Sequence, residues 1–66
     1  ANYNTLVGSG AGLYLNGSYN VAIGSDANDT YSATNSNTIT IGYSAAPSTA
    51  SVSNEITLGN SSISTL

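Results

Sequence analysis

Four short segments of this chain alternate in polarity and then stop at a glycine: Thr5-Leu6-Val7-Gly8, Val21-Ala22-Ile23-Gly24, Ile39-Thr40-Ile41-Gly42 and Ile56-Thr57-Leu58-Gly59. Counted back from the glycine, the third position holds Thr5, Val21, Ile39 and Ile56. The position just before it holds Val7, Ile23, Ile41 and Leu58. Between these columns the residue drifts from Leu6 through Ala22 to Thr40 and Thr57. Alternation with a period of two, rich in β-branched residues, predicts short strands with one buried face. The two apolar columns are expected to face in and the middle column out. No segment carries apolar residues at helical spacing, and Ser, Thr, Asn and Gly dominate the rest, so helix is not expected.

The four glycines are 16, 18 and 17 residues apart (24−8, 42−24, 59−42). A near-fixed period of this size marks a repeat whose units must stack to bury an apolar face. It divides a single repetitive segment, 1–66, into repeats at about 1–17, 18–34, 35–52 and 53–66. An asparagine opens each strand, namely Asn4, Asn20, Asn37 and Asn54, the first two four residues before the glycine and the last two five before it. Asparagine tolerates left-handed backbone and can form side-chain ladders when equivalent positions stack. Glycine permits positive φ where the chain leaves the strand. These four asparagines, with Gly8, Gly24, Gly42 and Gly59, are the expected skeleton of the repeat. A second, weaker strand is expected in each repeat at Leu13-Tyr14-Leu15, Tyr31-Ser32-Ala33 and Ala50-Ser51-Val52, and in truncated form at Ile63-Ser64-Thr65-Leu66. Asn16-Gly17 reads as a turn and Pro47 as a loop residue.

The expected fold is therefore all-β, a short-stranded β-solenoid or β-roll of about four coils. Such a roll has little interior. Thirteen Val, Ile and Leu residues are few for ordering 66, and no cysteine is present to staple the chain. Several copies packed around an axis would complete the core, and a homotrimer is a natural solution.

Composition narrows the chemistry. Asp26, Asp29 and Glu55 are the only charged side chains, the net charge is −3, and Lys, Arg, His and Cys are absent. Nucleic-acid binding needs cations, and so does attraction to an anionic membrane surface. No stretch is long and apolar enough to span a bilayer. Catalysis by a histidine base, a cysteine nucleophile or a lysine is excluded by absence. Paired carboxylates act on glycosides, but Asp26 and Asp29 stand three apart in a loop and Glu55 lies more than a repeat away. They read as solvated acids, and the chain as a non-enzyme without a cofactor. Asp26-Ala27-Asn28-Asp29 has oxygen ligands at short spacing, yet lacks the rest of a calcium loop. Gly8-Ser9-Gly10-Ala11-Gly12 looks like a phosphate cradle, but no lysine and no helix follow it. Asn16-Gly17-Ser18, Asn28-Asp29-Thr30 and Asn60-Ser61-Ser62 are glycosylation sequons. Nine asparagines in a chain with 20 Ser and Thr among 66 residues give that many by chance.

The five aromatics are all tyrosines. Tyr3 and Tyr19 both precede a strand-opening asparagine and are expected to stack. Tyr14, Tyr31 and Tyr43 are the candidate contacts to a receptor or a sugar, since tyrosine offers contact area at low entropic cost. Thr38-Ile39-Thr40 has the Thr-x-Thr form of an ice-binding row. The matching pairs Asn4 and Leu6, Asn20 and Ala22, and Glu55 and Thr57 break that row in three of four repeats.

Ser18-Tyr19-Asn20-Val21-Ala22-Ile23-Gly24 resembles the head repeats of trimeric autotransporter adhesins. The stretch from Asn54-Glu55-Ile56-Thr57-Leu58-Gly59 to Leu66 resembles the end of phage tail-fibre and tailspike-like proteins, before an intramolecular chaperone of the endosialidase type. The second resemblance implies a trimeric, repetitive β-stem. It also implies a chaperone beyond Leu66, either cleaved off or belonging to a longer chain. The function expected is a structural segment of a trimeric viral tail fibre or spike that presents a receptor-binding surface. Its partners would be copies of itself and a host surface glycan or protein, its place the virion or a cell surface. A self-assembling extracellular filament of cellular origin and a bacterial adhesin head are the alternatives.

Overall fold

Neighbouring parallel strands need long connections, because the chain must return to the same end of the sheet before each new strand begins. The spacing of the repeats supplies them, as segments 8–20, 24–38 and 42–55. In the computed structural model, which describes residues 3–65, the four alternating segments are the strands β1 (Thr5–Val7), β2 (Val21–Ile23), β3 (Ile39–Ile41) and β4 (Ile56–Leu58). They form one parallel sheet in the order β1-β2-β3-β4, and no helix occurs among the described residues. The register pairs Thr5, Val21, Ile39 and Ile56 in one row, Leu6, Ala22, Thr40 and Thr57 in the next, and Val7, Ile23, Ile41 and Leu58 in the third. These are the columns that alignment on the glycines produces.

The stacking bonds continue past the strands. The Gly24 and Gly42 amides donate to the Val7 and Ile23 carbonyls at 2.8 Å, and the Asp26 and Ser44 amides donate to Ser9 and Ser25 at 2.8 and 3.0 Å. Gly24 leaves its strand at φ 123°. A Cβ there would lie 2.8 Å from the Gly42 carbonyl carbon, so both backbone angle and space require glycine. After each of the first three glycines the chain turns back through the same bond, from the amides of Ala11, Ala27 and Ala45 to the carbonyls of Gly8, Gly24 and Gly42.

The unequal repeat lengths are absorbed in one place. The amides of Gly12 and Asn28 donate to Ala27 and Ala45, which aligns Gly12 with Asn28 and Ala46. A bridge aligns Leu15 with Ala33, and the Thr34 amide bond to Ala50 extends that row. Between the two rows the chain spends residues 13–14 in the first repeat, 29–32 in the second and 47–49 in the third. This corner is where the second strands were expected. Only the single Leu15–Ala33 bridge forms there, because turn bonds from Leu13, Leu15 and Ala33 to Gly10, Gly12 and Thr30 curl the backbone. No strand forms over 63–65 either, and Leu66 lies outside the described residues.

The direction of the strands reverses the sequence reading. Ala22 and Thr40 of the middle column are fully buried at 0 % exposure, while Ile23 and Ile41 are 38 % and 37 % exposed and Val7 and Leu58 are more so. The bulky columns face out. The reason is the thinness of the interior. A Cβ on Gly12 would lie 2.7 Å from Leu6 Cδ2, so the opposite wall is one small side chain away. Leu6, on the edge strand, lies against Gly12 and is still 43 % exposed. One repeat on, the equivalent positions are Ala22 and Asn28, and the bulk has moved to the other wall. Apart from Leu15, the buried apolar residues are Ala22, Ala27, Ala33 and Ala45.

Asparagine amides brace this interior. Asn20 is buried; its Oδ1 accepts from the Thr38 amide at 2.9 Å and the Thr38 hydroxyl at 2.7 Å, and its Nδ2 donates to the Asn35 carbonyl at 2.9 Å. Asn4 repeats the pattern one turn earlier, bonding the Asn20 amide and the Gly17 carbonyl. Asn37 and Asn54 do not continue that ladder as expected. The register puts Thr38 and Glu55 there, and sets Asn37 and Asn54 in the column of Tyr3 and Tyr19. All four residues of that column have positive φ, from 56° to 64°. Their side chains face out in like pairs: the Tyr3 and Tyr19 rings stack 5.3 Å apart at 4°, and Asn37 Nδ2 donates to Asn54 Oδ1 at 2.8 Å.

The two buried threonines should respond oppositely to valine. Thr40 Oγ1 has no hydrogen-bond partner among the described residues, so Thr40→Val should hold or raise the thermal midpoint. Thr38→Val removes the donor to Asn20 and should cost about 1 kcal/mol. Asn20→Ala, which strands the Thr38 amide and the Asn35 carbonyl, should cost about 2–4 kcal/mol. Thermal unfolding followed by circular dichroism checks all three; equal effects of the two valines would refute this account of the interior.

Candidate functional site

Two surfaces stand out, and both follow from the thin interior. The first is the outer face of the sheet. Val7, Ile23, Ile41 and Leu58 form one row and Val21, Ile39 and Ile56 most of another, with Ile56 68 % exposed. Side chains two apart on a strand lie about 6.6 Å apart, so the rows make a narrow apolar stripe. Exposed aliphatics are unremarkable singly, but a contiguous stripe marks an interaction surface.

The second surface is the irregular corner. Leu13, Tyr14, Leu15, Asn16, Tyr31 and Ser32 line a cleft of about 300 Å³. The extra residues of the second repeat carry Tyr31 out to meet Tyr14, with ring centres 5.1 Å apart and planes at 60°. Leu15 is buried beneath them, and both rings are exposed. Tyr43, the third candidate from sequence, is elsewhere. It follows Gly42 directly, its ring is exposed, and its carbonyl accepts from Asn60 Nδ2 at 2.6 Å.

The remaining chemistry is settled by placement. Asp26 lies against Gly10, where a Cβ would clash with its Oδ1. No group of three or more acidic, His or Cys residues that could hold a metal occurs among the described residues. Glu55 is not a freely solvated acid. Its carboxylate accepts from the Ser48 amide at 2.7 Å and the Ser48 hydroxyl at 2.9 Å, tying the third corner to the start of β4. Sequence reading missed this clasp, since nothing local links residues seven apart in a loop. Thr38 and Thr40 are buried, so the Thr-x-Thr pair cannot meet ice. In the glycine-rich stretch the Ala11 and Gly12 amides are already bonded to Gly8 and Ala27. Asn28 is fully buried and its sequon is inaccessible in the folded chain. No helix among the described residues is long and apolar enough to cross a membrane.

Glu55→Ala should lower the thermal midpoint by about 4–8 °C, corresponding to about 1 kcal/mol. Asp29→Asn should leave it unchanged, because no hydrogen bond among the described residues holds the Asp29 carboxylate. A midpoint indifferent to Glu55 would show that the clasp does not hold in solution. Compared with protein-family models, with curated proteins and with solved structures, the chain matches none.

Proposed function

We propose that the chain is a β-solenoid segment of a trimeric fibre, of the viral tail-fibre type, whose work is mechanical rather than catalytic. One observation carries this reading: the large β-branched residues of the strands face solvent, while the interior holds alanine, threonine and asparagine. A chain built this way spends its main source of stability on its outside. Copies of itself are the natural cover. The stripe bears no charge, so identical faces do not repel. Its two rows suit two different neighbours, one on each flank, and head-to-tail contacts of that kind close into a ring. Three copies give each row a partner and place three identical corners on the outside of a rod. Weak sites on such a rod gain from effective concentration, which fits a virion or cell-surface setting where a receptor is engaged at several points.

Native mass spectrometry of the intact chain should give a discrete threefold mass. Ile41→Asn should shift the population towards monomer, each copy losing about 1–2 kcal/mol of burial. Tyr43→Ala, off the stripe, should leave the trimer intact. A cooperatively folded monomer would end the proposal, and an open-ended series of masses would replace the fibre by a filament.

A further inference from the structure

We propose that the corner cleft between Tyr14 and Tyr31 is a binding site for a neutral sugar ring. The site does not depend on how many copies assemble, because all its residues come from one chain.

The argument starts from where the cleft lies. The repeats keep strict register through the strands, the glycine turns and the asparagine braces. Length varies only at the corner, where the second repeat inserts the residues that carry Tyr31. A rigid scaffold with one variable corner is the usual arrangement for a recognition surface.

The rings are also arranged to receive something. Tyr3 and Tyr19 lie parallel at 4° and cover each other's faces. Tyr14 and Tyr31 lie at 60° and leave an open angle. The negative face of an aromatic ring attracts the weakly positive C–H bonds of a sugar, and two inclined faces fit the side and edge of one ring. Leu13 and Leu15 supply further apolar lining. Polar groups surround this apolar angle. The Asn16 side-chain amide, the Ser32 hydroxyl and the two phenols have no hydrogen-bond partner among the described residues, so they are free for hydroxyl groups.

Charge and size select the ligand class. The chain has no Lys, Arg or His, and Asp29 lies in the same inserted segment as Tyr31. An acidic sugar or a phosphate would find no counter-charge and one repelling carboxylate. A cleft of about 300 Å³ stands at the lower limit of small-molecule sites. It suits one ring better than an extended peptide.

The test is saturation-transfer NMR on the intact chain. The probes are glucose, galactose, mannose and N-acetylglucosamine, with N-acetylneuraminic acid as the acidic control and a proline-rich peptide as the competitor. At least one neutral sugar should bind with a dissociation constant of about 0.1–10 mM. Tyr14→Ala and Tyr31→Ala should each weaken it at least about tenfold, Tyr31→Phe by less, and Tyr43→Ala not at all. Native mass and circular dichroism should be unchanged in all four, so loss of sugar binding is separable from loss of assembly. No binding by any neutral sugar up to about ten times that range, preference for the acidic sugar or the peptide, or binding indifferent to Tyr14 and Tyr31 would each overturn the proposal.

Discussion

The closeness of the two interior walls governs this structure. Where a Cβ at Gly12 already collides with Leu6, no row of isoleucines can enter. The interior accepts alanine, threonine and asparagine; Asn20 and Asn35 bond backbone through their side chains, while the Asn28 side-chain amide is buried with no hydrogen-bond partner among the described residues. Buried amides are costly unless paired, and Asn20 is paired at both ends. Polar bonding takes over part of the task that apolar packing has in a thicker domain. The displaced aliphatics have only the outside left to occupy.

That displacement separates the surface into regions with different demands. The sheet face is regular, apolar and uncharged. The corner is irregular and aromatic, and it carries Asp29. The Glu55–Ser48 clasp lies at the corner's third occurrence, where Pro47 also stiffens the chain. Regularity on one face and variety at one corner are compatible because the glycine turns and the Leu15–Ala33 row fix the chain on either side of the variable residues.

The strand positions and their register were legible from Gly8, Gly24, Gly42 and Gly59, because at the first three the backbone angle and the gap to the next repeat both favour glycine. The facing of Tyr3 on Tyr19 followed from the same alignment. The direction of the strands was not legible. A period of two states that faces differ, but not which is inside, and assigning Ile23 and Ile41 to the interior presumed a core wide enough for them. Asn37 and Asn54 misled for a related reason. They resemble Asn4 and Asn20 in type but stand one column away, and a side chain one position along a strand points to the opposite face. The meeting of Tyr14 with Tyr31 depends on inserted residues whose path no local pattern dictates.

The column of Tyr3, Tyr19, Asn37 and Asn54 has a consequence for how similar repeats avoid mispairing. Nearly alike strands could slide past one another by a residue and still find hydrogen bonds. Here each strand is preceded by a residue with left-handed backbone, a conformation that β-branched side chains resist. In the third repeat a one-residue slip would force the β-branched Thr38 into that position and carry Tyr43 into the place of Gly42, whose φ of 127° suits glycine alone. The penalty is larger in the misaligned state than in the native one. The strained column thus acts as a ratchet tooth, letting repeats dock at one offset and rejecting the adjacent ones.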